Sequence, residues 1–133
     1  MQRRLFTYEE ANHLVPWLQR TFDRLNSFIG RLESLRGQLA DIQRVQQRRN
    51  GTFQQQDEIQ EMQEELDGIG RDIQGMVDEI TRAGIIVRDV AQGLVDFPHI
   101  RDGREVYLCW IGGEESIGYW HETDRGFIHR QPL

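Results

Sequence analysis

The sequence predicts an α+β fold: a long antiparallel helical hairpin, coiled-coil-like, followed by a small antiparallel β meander packed on its base. Three observations predict it. Leu18, Thr21, Leu25, Phe28, Leu32, Leu35, Leu39 and Ile42 recur at steps of three and four, and Ile59, Met62, Leu66, Ile69, Ile73, Met76, Ile80 and Ala83 resume the rhythm after a break. This is the seam spacing of left-handed helix pairing, sustained for about three heptads on each arm. Between the arms lies Arg48-Arg49-Asn50-Gly51-Thr52, where Asn50-Gly51 is a strong turn signal nearly equidistant from Ile42 and Ile59. After Gly84 the helical period gives way to short alternating runs. The expected organisation is a single domain over 1–133, with the hairpin at 7–83, its turn near 48–52, and a β module at 84–133.

The first arm opens at Thr7, which with Glu10 has capping-box spacing; Phe6 just before it is placed to staple onto Ala11. Pro16 falls inside the apolar run Leu14 to Leu18. It removes one backbone donor and crowds the carbonyl of Asn12, so a kink or break is expected there. Thr52 and Gln55 repeat the capping-box spacing for the second arm, and the glutamines around the tip suit a solvated helix. Gly30 and Gly37 on one arm, and Gly68 and Gly75 on the other, lie seven apart and off the seam. Each pair is either plain surface glycine or the place where a second backbone comes close, as in a four-helix dimer. Gly84 stops the second arm. Strands are then expected at Ile85 to Val87, Leu94 to Phe97, Arg104 to Ile111, Ser116 to Trp120 and, as a last short one, Gly126 to Ile128. Arg101-Asp102-Gly103 and Gly112-Gly113 supply turns, giving a meander of three or four strands. Such a sheet is too small to stand alone and needs the hairpin base against one face.

The formal net charge of -6 argues against general nucleic-acid binding, which calls for a basic field. The charge is unevenly spread. Residues 1–50 carry nine Arg against five acids, residues 51–83 two against nine, and residues 84–133 five against eight. A basic arm facing an acidic one favours antiparallel pairing, although exposed ion pairs contribute only about 0–1 kcal/mol each. There is no Lys, which excludes lysine Schiff-base chemistry. The single Cys109 excludes an internal disulfide and fits a reducing compartment. No apolar run is long enough to span a bilayer, so a soluble cytoplasmic protein is expected, with no membrane partner. An elongated hairpin has a thin core, for which a homodimer is the simplest remedy.

Candidate chemistry is concentrated between Trp110 and His129, with Asp96 and His99 just upstream. His99, His121 and His129 with Glu122 or Asp124 offer metal-ligand types, but no pair has ligand spacing, so neither a metal nor another cofactor is expected. On a strand, His121 and Glu122 point to opposite faces. Acid–base work by His121 with Asp96 or Glu122 is one option. An acidic-ligand site using Arg101, Arg104 or Arg125 is another. Cys109, between Leu108 and Trp110, reads as a buried structural thiol. Trp17, Trp110 and Trp120 read as an aromatic core joining sheet to helix, or else as the wall of a ligand pocket. Arg44, Arg48 and Arg49 form a basic tip opposite Asp57, Glu58 and Glu61. The residues that define a ligand site, if the β module holds one, are Asp96, Arg104, Trp120, His121 and Arg125.

Two blocks resemble a known family. The first is Phe6-Thr7-Tyr8-Glu9-Glu10-Ala11-Asn12 leading to Leu14-Val15-Pro16-Trp17-Leu18. The second runs from Gly93-Leu94-Val95-Asp96-Phe97-Pro98 through Asp102 to Trp110, then Tyr119-Trp120-His121 and Gly126-Phe127. In these the chain is similar to domain-of-unknown-function family 2203, small bacterial proteins that include cyanobacterial ones. The resemblance implies no activity and no site residues. Two functions follow from the residues themselves. The leading one is a non-enzymatic structural or interaction module that self-associates through its hairpin and presents it to a protein partner. The alternative is a small-ligand-binding or enzymatic domain using the polar and aromatic residues of the β module.

Overall fold

The computed structural model describes residues 3–48 and 53–133, and for residues 47, 48, 53 and 54 the backbone alone. Two long helices, α1 (Tyr8–Arg48) and α2 (Phe53–Arg82), form the hairpin. The expected Asn50-Gly51 turn, the Thr52 cap and Arg49 of the basic tip lie outside the described residues. The capping box at the start of α1 is present: Thr7 N–H donates to Glu10 Oε1 and Glu10 N–H to Thr7 Oγ1, each at 3.0 Å. These bonds satisfy two of the donors that a helix start leaves free.

The break considered at Pro16 does not occur, for α1 runs continuously through it. The lost donor and the ring clash cost about 3 kcal/mol. Against this, Ala11, Val15, Leu18 and Phe22 form one stripe that is almost completely buried, while Pro16 is exposed. Burying Leu18 and Phe22 alone is worth about 1.5–3 kcal/mol each, which outweighs the proline.

The chain divides into two compact units, one of them Leu25–Gly75 and the other Met76–Leu133 with the chain up to Arg24. In the first, Leu35, Leu39 and Ile69 are buried, whereas Leu32, Ile42, Ile59, Met62, Leu66 and Ile73 are half-buried. Arg31 of the basic arm pairs with Glu65 of the acidic one. A Cβ added at Gly30, Gly37, Gly70 or Gly75 would meet nothing within 4 Å, and at Gly68 only the Arg71 guanidinium at 3.8 Å.

In the other unit Gly84, at φ +94°, ends α2 in the left-handed conformation that glycine tolerates best. The sheet that follows has five antiparallel strands in sequence order: β1 (Ile86–Asp89), β2 (Leu94–Arg101), β3 (Arg104–Trp110), β4 (Tyr119–Glu122) and β5 (Gln131–Pro132). Asp102 (φ 51°) and Gly103 (φ 76°) turn β2 into β3 as a two-residue hairpin of the primed type, which matches strand twist.

Three strand expectations need correction. Among the described residues there are five strands rather than three or four. The fourth begins at Tyr119, not Ser116, because the Ile117 N–H is taken by Asn12 Oδ1 of α1 at 2.7 Å instead of by β3. Gly126 to Ile128 is not a strand; a 3₁₀ turn (Phe127–His129) sits there, closed by His129 N–H to Gly126 O at 2.9 Å, and the last strand is β5.

Pairing register sorts the side chains onto two faces, since residues directly opposite each other point the same way. Val95, Phe97 and His99 share one face with Trp110, Leu108 and Val106, and Trp120 opposite Leu108 joins them. Here Phe6 meets Phe97 edge-on at 5.1 Å and Phe22 of α1 lies 6.2 Å from Trp110. This inner face is the core. Asp96, Cys109, Tyr107, Tyr119 and His121 therefore occupy the outer face, which the segment following β4 partly covers. All of Val106 to Trp110 is buried, so β3 is enclosed on both faces.

Candidate functional site

The outer face carries the buried polar residues of the sheet. Asp96 is 2% exposed, His121 1% and Cys109 0%. They come from β2, β4 and β3, and Asp96 is the direct cross-strand partner of Cys109. Their ligand atoms all lie within 4.8 Å of one another, the one such group of three among the described residues.

Asp96 is the hub. Its Oδ1 meets His121 Nε2 at 2.9 Å, and its Oδ2 accepts from Arg88 Nε at 2.9 Å. Arg88 is the extra residue of a bulge in β1, where the pairing register shifts between Val87 and Asp89. Such bulges re-aim a side chain, here toward the carboxylate. His121 Nδ1 meets the Glu122 carbonyl at 2.8 Å, and the Tyr107 ring packs against the imidazole at 5.6 Å. Both ring nitrogens thus face oxygens, and the carbonyl can only accept, which places a proton on Nδ1. A second proton is shared along the Asp96–His121 contact.

Cys109 is a poor nucleophile in this setting. Burial pushes its thiol up to about 12, the Asp96 charge adds to the rise, and Arg130 opposes it. Only the thiolate attacks, so the group is chemically quiet. Arg130 is itself anchored, with both Glu114 carboxylate oxygens at 3.1 Å and with the rings of Tyr119 and Phe127 at 4.1 and 4.3 Å. These contacts hold the 3₁₀ turn down.

Beside the cluster is a cavity of about 400 Å³, lined among others by Arg88, Asp96, Asp124, Arg125 and Phe127. Of the site residues expected from sequence, the structure brings together Asp96 and His121, and adds Arg125 at the cavity that Asp96 lines. It does not bring in Arg104 or Trp120. Register puts both on the inner face, where Arg104 pairs with Glu122 at 2.7 Å and Trp120 lies under Arg101 at 4.8 Å. His99 is also on that face, with Nδ1 2.7 Å from the Phe6 carbonyl, and His129 is exposed. The histidines therefore do not converge as a set.

Sequence reasoning missed Arg88 and gave Cys109 no part in a site. Only the strand alternation signalled Cys109, since Asp96 and Cys109 become neighbours through a hairpin register that Asp102-Gly103 sets. No sequence signal marks the bulge that turns Arg88. Chemically, the arrangement fixes the Asp96 carboxylate between His121 and Arg88. Both nitrogens of His121 are occupied and the thiol is masked, so neither offers a free base or nucleophile.

The fold and this site define a helical hairpin followed in the chain by an open five-stranded antiparallel sheet, with a buried Asp–His–Cys group on the sheet's outer face. The chain belongs to the DUF2203 family of uncharacterized conserved proteins, small bacterial and cyanobacterial, whose family model matches residues 4–133. No curated protein and no solved structure matches it. Among the described residues no helix is long and apolar enough to cross a membrane.

Proposed function

We propose that this protein is a small-ligand-binding domain whose site is the outer-face cavity of the sheet, and that its ligand carries an acidic group. The observation that supports this best is the buried Asp96 carboxylate, held by His121 and Arg88 at 2.9 Å each and lining a cavity that Arg125 also lines. Arg88 spends only its Nε on Asp96, and Arg125 makes no ion pair among the described residues, so guanidinium donors remain for a carboxylate or phosphate. Asp96 then acts as the positioning residue for Arg88.

The test is calorimetric titration with inorganic phosphate and, separately, succinate. One site is expected for at least one of the probes, weakened at least about tenfold in Arg125→Gln, whose exposed side chain leaves folding unchanged. Absence of binding by both probes, or equal binding by Arg125→Gln, overturns the reading.

A second reading concerns the hairpin. Ile42, Ile59, Met62, Leu66 and Ile73 are only half-buried, and Val45 is 47% exposed. An incompletely covered seam of this kind favours coiled-coil pairing with a second copy, giving a homodimer. Light scattering on the eluting peak should return twice the chain mass, and Val45→Glu should halve it. A monomer at every concentration removes this reading. The lone reduced Cys109 supports a cytoplasmic location.

A further inference from the structure

We propose that Asp96 Oδ1, Cys109 Sγ and His121 Nε2 together bind one divalent transition-metal ion of the zinc class, whose open coordination position faces the neighbouring cavity. The inference rests on the site reading above and adds what the buried group itself can hold.

Four observations carry it. The three donors are fully buried and mutually within 4.8 Å, close enough that a small inward shift of the side chains brings all three onto one ion at bond lengths of about 2.0–2.3 Å. They stand on three adjacent strands of one sheet, and such a scaffold holds ligands more precisely than loops do. The outer partners are also those of a metal site. His121 commits Nδ1 to the Glu122 carbonyl at 2.8 Å, which leaves Nε2 as the inward-facing nitrogen. Arg88 holds Asp96 Oδ2 and leaves Oδ1 as the inward-facing oxygen. Ligating imidazoles and carboxylates are typically fixed from behind in this way. Finally, Asp96 lines the cavity of about 400 Å³, so an ion held by its carboxylate would lie beside space for a fourth ligand.

The donor set selects the class of ion. One thiolate, one imidazole and one carboxylate form a mixed soft and borderline set, suited to Zn²⁺ and to Co²⁺ in its place, and not to Mg²⁺ or Ca²⁺, which take oxygen ligands. Three protein ligands with one position open is the pattern of zinc sites that accept an exogenous group. An anion in the cavity would then reach the metal as well as Arg88 and Arg125. The charge balances: the Cys109 thiol proton and the proton shared between Asp96 and His121 leave to solvent as the dication enters.

The test uses the full-length chain, stripped with a chelator, kept reduced and titrated with Co²⁺. One equivalent is expected, with tetrahedral visible bands and a near-ultraviolet sulfur-to-cobalt charge-transfer band. Cys109 is the sole cysteine, so that band can arise from no other residue. Asp96→Asn preserves the shape of the side chain and should weaken Co²⁺ at least about tenfold; Cys109→Ser should abolish the charge-transfer band. If the folded wild-type chain shows no such band, or if Co²⁺ binds equally well to Asp96→Asn, the proposal is overturned. The wild-type spectrum alone decides the matter if the variants misfold. Phosphate titration of the stripped protein separates the two readings, because anion binding without the cobalt band leaves the cavity reading standing and removes the metal.

Discussion

Replacing Asp96 tests the hydrogen-bond inventory of the outer face directly. In Asp96→Ala the buried His121 Nε2 loses its partner, whichever protonation state the ring adopts. Leaving a buried polar group unpaired costs about 1–3 kcal/mol, and breaking a buried pair by removing one partner about 3–5 kcal/mol. Arg88 adds little, since its side chain is 44% exposed and water takes over from the carboxylate. A loss of about 3 kcal/mol is therefore expected, or about 10 °C in Tm for a chain of 133 residues. Asp96→Asn should behave differently. With the imidazole neutral and protonated on Nδ1, the Glu122 bond survives, Nε2 accepts from the new amide, and the amide oxygen still accepts from Arg88. The expected cost is about 1 kcal/mol. Urea unfolding monitored by near-ultraviolet circular dichroism, which reports on Trp110 and Trp120, measures both. An alanine variant within about 1 kcal/mol of wild type, or an asparagine variant as unstable as the alanine one, would refute the inventory.

Three further outcomes follow from the same structure. In the metal-free chain Cys109 keeps a proton in the folded state that the unfolded chain releases, its thiol standing at about 12 against an ordinary 9.0. The stability this contributes is intact below pH 9.0 and is lost as pH rises toward about 12, by up to about 4 kcal/mol; urea midpoints across that window should fall, less so in Cys109→Ala, and the native thiol should resist iodoacetamide. Gly30→Ala and Gly75→Ala meet open space within helices and should each stabilise by about 0.5–1 kcal/mol, whereas destabilisation of either would reveal a second backbone packed there. Hydrogen bonds from the Thr7 backbone and hydroxyl groups hold the Glu10 carboxyl below its ordinary 4.5. The cap therefore supports α1 above that pH and fades as acid protonates it, and Thr7→Ala should cost about 1 kcal/mol of thermal stability at neutral pH.

The helices were legible because their signals are local and repeated. A seam residue every three or four positions, a capping box at Thr7 and a glycine at position 84 each act within a turn or two of chain. The sheet was legible in outline, and the Asp102-Gly103 turn was read correctly from two residues. The boundaries of β4 were not, because Asn12, more than a hundred residues away, takes the Ile117 N–H. At Pro16 the local cost is legible in the sequence, but the buried stripe that carries the helix through without a break faces the sheet. The site was half legible. Asp96, His121 and Arg125 stood out as residue types, while Arg104 and Trp120 were equally plausible until register placed them on the inner face.

By itself the sequence determined the paired helices, the change to strands after Gly84 and the polar residues available for chemistry, since periodicity and turn preference act between near neighbours. Only the tertiary structure decided which of those residues meet. Cross-strand register, one β bulge and a helix laid on the opposite face gather Asp96, Cys109, His121 and Arg88. The Asp102-Gly103 turn sets the Asp96–Cys109 register locally. The bulge at Arg88, the β3–β4 pairing that brings in His121 and the helix on the opposite face are longer-range constraints that spacing along the chain does not reveal.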